Sequence, residues 1–211
     1  MKHPSFKLHE YNPSIIPEDY GALIAEAQRL QPKRVLEFGP GYSTYAWIEA
    51  GVPEIVSVEH IDDWREEKRA QFAEFPNVSV QPFWNEAPVA RLGQDAGEFD
   101  LAFVDSPRGG HNKGRARLPG QQDCSRLNTL MCALKHAPIA LLHDATRVDE
   151  RHSLRRAELA GHKVEWFPVP SNGRTYGIAR VIRDGNKETA RPSVSSVAEP
   201  GGTAIRASAG V

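Results

Sequence analysis

The sequence predicts an α/β fold: a doubly wound, mostly parallel seven-stranded sheet that ends in a C-terminal antiparallel hairpin. Three observations predict it. Short apolar runs of strand length alternate with stretches of helical period from residue 17 to residue 161, the pattern of a parallel sheet covered on both faces. Several of those runs end in glycine or an acidic residue, where an open sheet of this kind builds its ligand crevice. After the last helical stretch, two β-rich runs flank Pro170-Ser171-Asn172-Gly173, the composition of a hairpin turn.

Residues 1–16 contain Pro4 and Pro13 and no period, which predicts an extended N-terminal arm. Tyr20, Leu23, Ile24, Ala27 and Leu30 then recur at the spacing of one helix face, with Pro17 in the first turn and Pro32 at the stop. Arg34 to Phe38 is the first strand. The helix after it is expected to be capped by Ser43 or Thr44 and closed by Gly51. Glu54 to Glu59 is the second strand, Asp62 to Phe75 a charged helix, and Val78 to Phe83 the third strand. A single helical turn is expected near Val89–Leu92. Phe99 to Val104 is the fourth strand, Asp123 to His136 a helix, and Pro138 to Leu142 the fifth strand. Val148 to Ala160 is a helix closed by Gly161, and Lys163–Val169 with Thr175–Ile182 form the hairpin. Trp47, Trp64 and Trp166 are expected to be core or packing aromatics without a functional role. The domain is thus expected over 17–183, with 184–211 a disordered tail because that stretch offers Ile205 as its one large apolar residue beyond Arg183.

Composition narrows the function. A formal net charge of −1 supplies no basic field for nucleic acid or an anionic membrane. No apolar run approaches the roughly 18 residues of a membrane span, and Met1–Phe6 lacks the apolar core of a signal peptide. Cys124 and Cys132, on one helix, would stand about 12 Å apart, too far for a bridge. A cytoplasmic location is therefore expected.

The first strand runs into Gly39-Pro40-Gly41-Tyr42-Ser43-Thr44. Glycines let a backbone approach a ligand, and the following helix offers free N–H groups. Glu37, two residues before Gly39, is expected to aim a carboxylate at the mouth of the site. Such a charge would repel a pyrophosphate and attract the ammonium and sulfonium of S-adenosylmethionine. Glu59, ending the second strand, is placed to hold ribose hydroxyls. A dinucleotide-binding oxidoreductase remains the alternative, with Glu37 and Thr44, where a third glycine would stand, against it.

Glu37-Phe38-Gly39-Pro40-Gly41 and Val58-Glu59-His60 resemble the first motif and the ribose-binding acid of class I S-adenosylmethionine-dependent methyltransferases. The resemblance implies a Rossmann-like methyltransferase fold in which Gly39, Pro40, Gly41 and Ser43 line the methionine part. It also implies that Glu59 holds the ribose and that His60 or Ile61 flanks the adenine. Trp84 and Asn85 are further adenine candidates, Trp84 equally a core residue.

Asp105 and Asp144 end neighbouring strands, so both carboxylates are expected in one crevice. They could hold Mg²⁺ or Mn²⁺, serve as a general base without metal, or pair with Arg108 and Arg147. Metal-dependent catechol-type O-methyltransferases are similar here, with an Asp after strand four and an Asp-Asn after strand five. Ala145 replaces that Asn, so His143, His111 or water would have to complete the set, and a histidine would suit Co²⁺, Mn²⁺ or Zn²⁺. His143 alternatively serves as a structural histidine.

Val104 to Gly110, Leu118-Pro119-Gly120 and Leu142 to Arg147 resemble the plant glucuronoxylan O-methyltransferase family, which implies methylation of a sugar hydroxyl. Arg108, His111, Lys113, Arg115 and Arg117 gather positive charge in one glycine-rich loop, as recognition of an anionic small molecule or glycan would require. Asp105, Asp144, His111 and Arg108 are the candidate catalytic residues, with Asp105 or His111 as the base; Asp105 also counts among the cofactor-binding residues. A methyltransferase-fold protein that binds without turnover is the other reading.

Overall fold

A computed structural model describes residues 15, 17–86, 89–93, 96–106, 126–167 and 177–185. Arg108, His111, the other basic residues up to Arg117, Cys124, the hairpin turn and nearly all of the arm and the tail lie outside those residues.

Helix α1 (Pro17–Leu30) leads into β1 (Arg34–Phe38), and α2 (Tyr42–Glu49) into β2 (Glu54–Glu59). Then come α3 (Asp62–Gln71), β3 (Val78–Pro82), and a short pair, β4 (Trp84–Glu86) and β5 (Val89–Arg91). The chain continues through β6 (Leu101–Val104), α4 (Leu127–His136), β7 (Ile139–His143), α5 (Val148–Leu159), β8 (Lys163–Trp166) and β9 (Ile178–Ile182). The main sheet has seven strands in the order β3-β2-β1-β6-β7-β9-β8. β9 runs antiparallel to both β7 and β8, and the other pairings in this sheet are parallel. The order reverses between β1 and β6, so the crevice opens beside the carboxyl ends of β1, β2, β6 and β7.

Strand periodicity sorts the core into two layers. Val35, Ile55, Leu101, Phe103 and Leu141 pack with α1 and α2 through Leu23, Ala27, Ala46 and Trp47. Their neighbours Leu36, Val56, Ala102, Val104 and Leu142 face α4 and α5 through Leu130, Ala133, Leu154 and Ala157.

Three expectations are corrected. Residues 89–91 are extended, pairing antiparallel with 84–86, where a helical turn was expected. Val89 and Leu92 stand three apart, a helical spacing, but Ala90 and Leu92 share the face packed on the core, and the antiparallel partner decides. The cap of α2 is Gly41; Thr44 is already in the first turn, and its Oγ1 accepts the Gly41 N–H at 3.0 Å. Of the three tryptophans expected as core or packing aromatics, Trp47 is fully buried, and Trp64 and Trp166 are 48% and 49% exposed. α3 ends at Gln71, before Phe72 and Phe75. Gly51 and Gly161 close their helices at φ +77 and +94, as expected. No helix among the described residues is long and apolar enough to cross a membrane.

Candidate active site

β1 and β2 place Glu37 opposite Ser57 in register. Glu37 is fully buried, and its carboxylate accepts hydrogen bonds from Ser43 Oγ, Thr44 Oγ1 and Ser57 Oγ, each at 2.6 Å, and from Trp47 Nε1 at 3.2 Å. The expectation that this carboxylate faces the mouth of the site therefore fails. A strand residue on the α2 face points beneath the helix, and the hydroxyls of the first turn close over it. Burial pushes its pKa from the ordinary 4.5 up to about 7, against the four donors that hold it down. Glu37 fixes the floor of the loop by tying α2 to two strands. Ser43, expected against the methionine part, is 3% exposed and points into the same cluster.

Gly39 does what a close approach requires. Its φ is +90, and a Cβ there would stand 3.0 Å from Ser106 Cβ and 3.4 Å from the Asp105 carbonyl carbon. The Gly39 N–H donates to Val58 O and the Asp105 N–H to Phe38 O, so β1 is clasped by both neighbours as it ends. Pro40 is buried and Gly41 partly exposed.

Glu59 ends β2 with 4% exposure. Its Oε1 accepts the His60 N–H at 2.7 Å and the Ile61 N–H at 2.9 Å, with His60 Nδ1 also at 2.9 Å. Its Oε2 accepts no bond among the described residues. The turn thus orients the side chain through one carboxylate oxygen. The His60 ring packs on Phe83 with centroids 5.3 Å apart, and Ser106 Oγ lies 3.4 Å from its Nδ1. Residues after β2, β3 and β6 therefore meet at one wall. Trp84 is 43% exposed under the Arg91 guanidinium rather than in the core, and Ile61 is equally exposed.

The two aspartates expected together are together. Asp105 is one-fifth exposed at 20%, and Asp144 is buried in a left-handed backbone at φ +59. Between them lies Arg126, 2% exposed, whose Nη2 is 2.9 Å from Asp105 Oδ1 and 2.9 Å from Asp144 Oδ2. Its Nη1 donates to the His143 carbonyl at 2.9 Å. Arg147 Nη1 reaches Asp144 Oδ2 at 2.6 Å, the ion pair foreseen for this residue. His143 is fully buried, with Nδ1 3.0 Å from Asp105 Oδ1 and Nε2 3.3 Å from Asp19 Oδ2. Burial would lower its pKa, but the flanking carboxylates raise it to about 10, and both ring nitrogens are placed to donate to them. Burial alone would raise Asp105, yet His143 and Arg126 hold it below the usual carboxylate range.

Asp105, His143 and Asp144 bring ligand-type atoms within 4.8 Å of one another. They do not fit a divalent cation as they stand. A guanidinium already bridges the carboxylates, and both imidazole nitrogens face carboxylate oxygens, which leaves neither lone pair for a metal.

Arg126, Asp19, Ser57 and Ser106 were not foreseen. Ser57 carried a readable signal, a single hydroxyl inside an apolar strand. Asp19 is 124 residues from His143 in the chain, and nothing local marks Arg126 among the neighbouring arginines.

No family model matches the chain, and no curated protein matches it in sequence. Solved structures do match its fold. An O-methyltransferase of Streptomyces achromogenes involved in tomaymycin synthesis, in complex with S-adenosylmethionine, is 17% identical, with 82% of each chain covered and a TM-score of 0.56. The O-methyltransferase of Bacillus cereus, in complex with S-adenosylhomocysteine, is 18% identical over 81% of this chain and 83% of that one, at 0.53. A methyltransferase of Podospora anserina, also bound to S-adenosylhomocysteine, is 19% identical over 81% and 80%, at 0.52. At identities this low the likeness is one of fold: a Rossmann-like methyltransferase fold.

Proposed function

We propose that this protein is an S-adenosylmethionine-dependent methyltransferase that methylates a hydroxyl of an anionic, sugar-like small molecule or glycan. One observation carries the cofactor half of this reading. Gly39 packs against Ser106 at a positive φ while Glu59, pinned through Oε1, keeps Oε2 unengaged among the described residues at the end of the next strand. A glycine turn packed tightly against the end of β6, beside an acid with a spare oxygen, suits a nucleoside cofactor, and the fold's solved examples hold S-adenosylmethionine or its product. The burial of Glu37 withdraws the charge argument against a dinucleotide. What stands against one is Thr44, wholly buried and bonded to Glu37 and Gly41 where the third glycine would be.

In the reaction the acceptor oxygen attacks the methyl carbon, the carbon–sulfur bond breaks, and its electron pair stays on sulfur as a thioether. The enzyme aligns the oxygen and takes its proton. Asp105 is the partly exposed, ionised carboxylate at the mouth and fills the accepting role. Its depressed basicity makes it chiefly an orienting acceptor for the hydroxyl. Arg108, His111 and the neighbouring basic residues would supply the pairing groups for an anionic acceptor.

The test is incubation with S-adenosylmethionine and a panel of uronic-acid oligosaccharides, neutral sugars and catechols, scored by S-adenosylhomocysteine formation and by mass spectrometry of the acceptor. Product from the uronic acids alone supports the reading. Product from catechols alone moves the acceptor class, and turnover of none with intact cofactor binding favours a protein that binds without catalysing.

A further inference from the structure

A divalent cation between Asp105 and Asp144 would have to sit where Arg126 already is. The guanidinium nitrogen Nη2 lies 2.9 Å from an oxygen of each aspartate, a bridging position. The remaining contacts lock it there. Nη1 donates to the His143 carbonyl, and Nε stands 3.9 Å from Glu150 Oε1, itself fully buried. Arg147 adds a second guanidinium to the same Asp144 oxygen, and Asp105 Oδ1 also faces His143 Nδ1. Asp144 Oδ1 is buried and unbonded among the described residues. Asp105 Oδ2 is likewise unengaged among the described residues, so two oxygens remain, where a hard cation takes about six. Bringing a metal in would force a buried guanidinium out of its pairs with nowhere comparable to go, and an uncompensated buried charge is costly.

We propose that Arg126 is the site's built-in cation, a positioning residue that replaces a divalent metal by holding the Asp105 and Asp144 carboxylates at the ends of β6 and β7. This rests on the methyltransferase reading and deepens it: transfer is metal-independent, and Asp105 is oriented by a guanidinium. The replacement of the expected Asn by Ala145, fully buried, agrees with a site that no longer needs a third ligand.

The experiment is a Mn²⁺ titration followed by electron paramagnetic resonance on the wild type, Arg126→Ala and Arg126→Lys. S-Adenosylhomocysteine binding is measured on the same wild-type preparation. The wild type and Arg126→Lys are expected to take up no Mn²⁺, because each keeps a cation between the carboxylates. Arg126→Ala is expected to bind it at least about tenfold more tightly than the wild type. A merely structural arginine would not yield that gain. Stoichiometric Mn²⁺ on the wild type, lost in Asp144→Asn, would overturn the proposal, and so would a folded Arg126→Ala that binds no better than the wild type. If Arg126→Ala does not fold, Arg126→Gln takes its place with the same expected gain, and the wild-type titration still decides by itself. Failure of the wild type to bind S-adenosylhomocysteine would instead count against the methyltransferase reading, whatever Mn²⁺ does.

Discussion

At the scale of single residues, Glu37 is a carboxylate spent on architecture. Four donors satisfy it, yet complete burial still raises its pKa to about 7. A folded-state pKa above the unfolded one means that its contribution is fully present below about pH 4.5 and is lost as pH rises through about 7. Glu37→Gln removes that titration. Its Oε1 can keep the Trp47 bond while the hydroxyls of Thr44 and Ser57 turn to accept from the amide. In urea unfolding at about pH 5 and about pH 8, the wild type should lose roughly 2 kcal/mol more than this variant between the two conditions. Equal losses would show that Glu37 is not raised. Gly39 gives a second prediction. With φ +90 and 3.0 Å to Ser106 Cβ, Gly39→Ala should cost about 2 kcal/mol and weaken cofactor binding, since the strain lies in the loop itself. A variant as stable as the wild type in the same assay would contradict that packing.

At the scale of elements, the site is held by ties between segments far apart in the chain. Arg180 on β9 forks onto Glu26 of α1 through two bonds of 2.7 Å, and Arg29 pairs with the same carboxylate. Glu26 is 3% exposed, but Arg180 keeps Glu165 at 2.6 Å and Arg29 is half exposed, so Glu26→Ala should cost about 2 kcal/mol in chemical denaturation; a loss under about 0.5 kcal/mol would show the tie to be a screened surface pair. Such ties separate what the sequence shows from what it hides. Strands β1, β2, β6 and β7 were legible because buried parallel strands read as continuous apolar runs. The 84–91 ribbon was not, because Val89 and Leu92 stand at helical spacing and only pairing across the turn makes the strand. Whether Trp64 and Trp166 are core or half-exposed was hidden for a related reason: hydrophobicity marks a tendency toward burial, and which faces are covered depends on the fold. The Gly39–Gly41 turn, Glu59 and the Asp105–Asp144 pair could be read from strand ends. The orientation of Glu37 could not, since it depends on which face β1 turns toward α2. Arg126 and Asp19 join the site only through the tertiary fold.

At the scale of the whole molecule, one sheet with a single reversal of strand order gathers these parts on one side. Ligand binding there stabilises the fold by mass action. Saturating S-adenosylhomocysteine at about a hundredfold over its dissociation constant should add about 3 kcal/mol and raise the melting temperature; NAD under the same conditions should leave it unchanged. The most direct test of the central claim is isothermal titration of S-adenosylhomocysteine into the wild type and Glu59→Gln. The variant keeps an oxygen for the His60 and Ile61 N–H groups but turns the other carboxylate oxygen into an amide. The account predicts saturable binding by the wild type and a loss of at least about tenfold in the variant, the worth of a charged hydrogen bond. Absence of binding to the wild type, or equal affinity in both proteins, would contradict it.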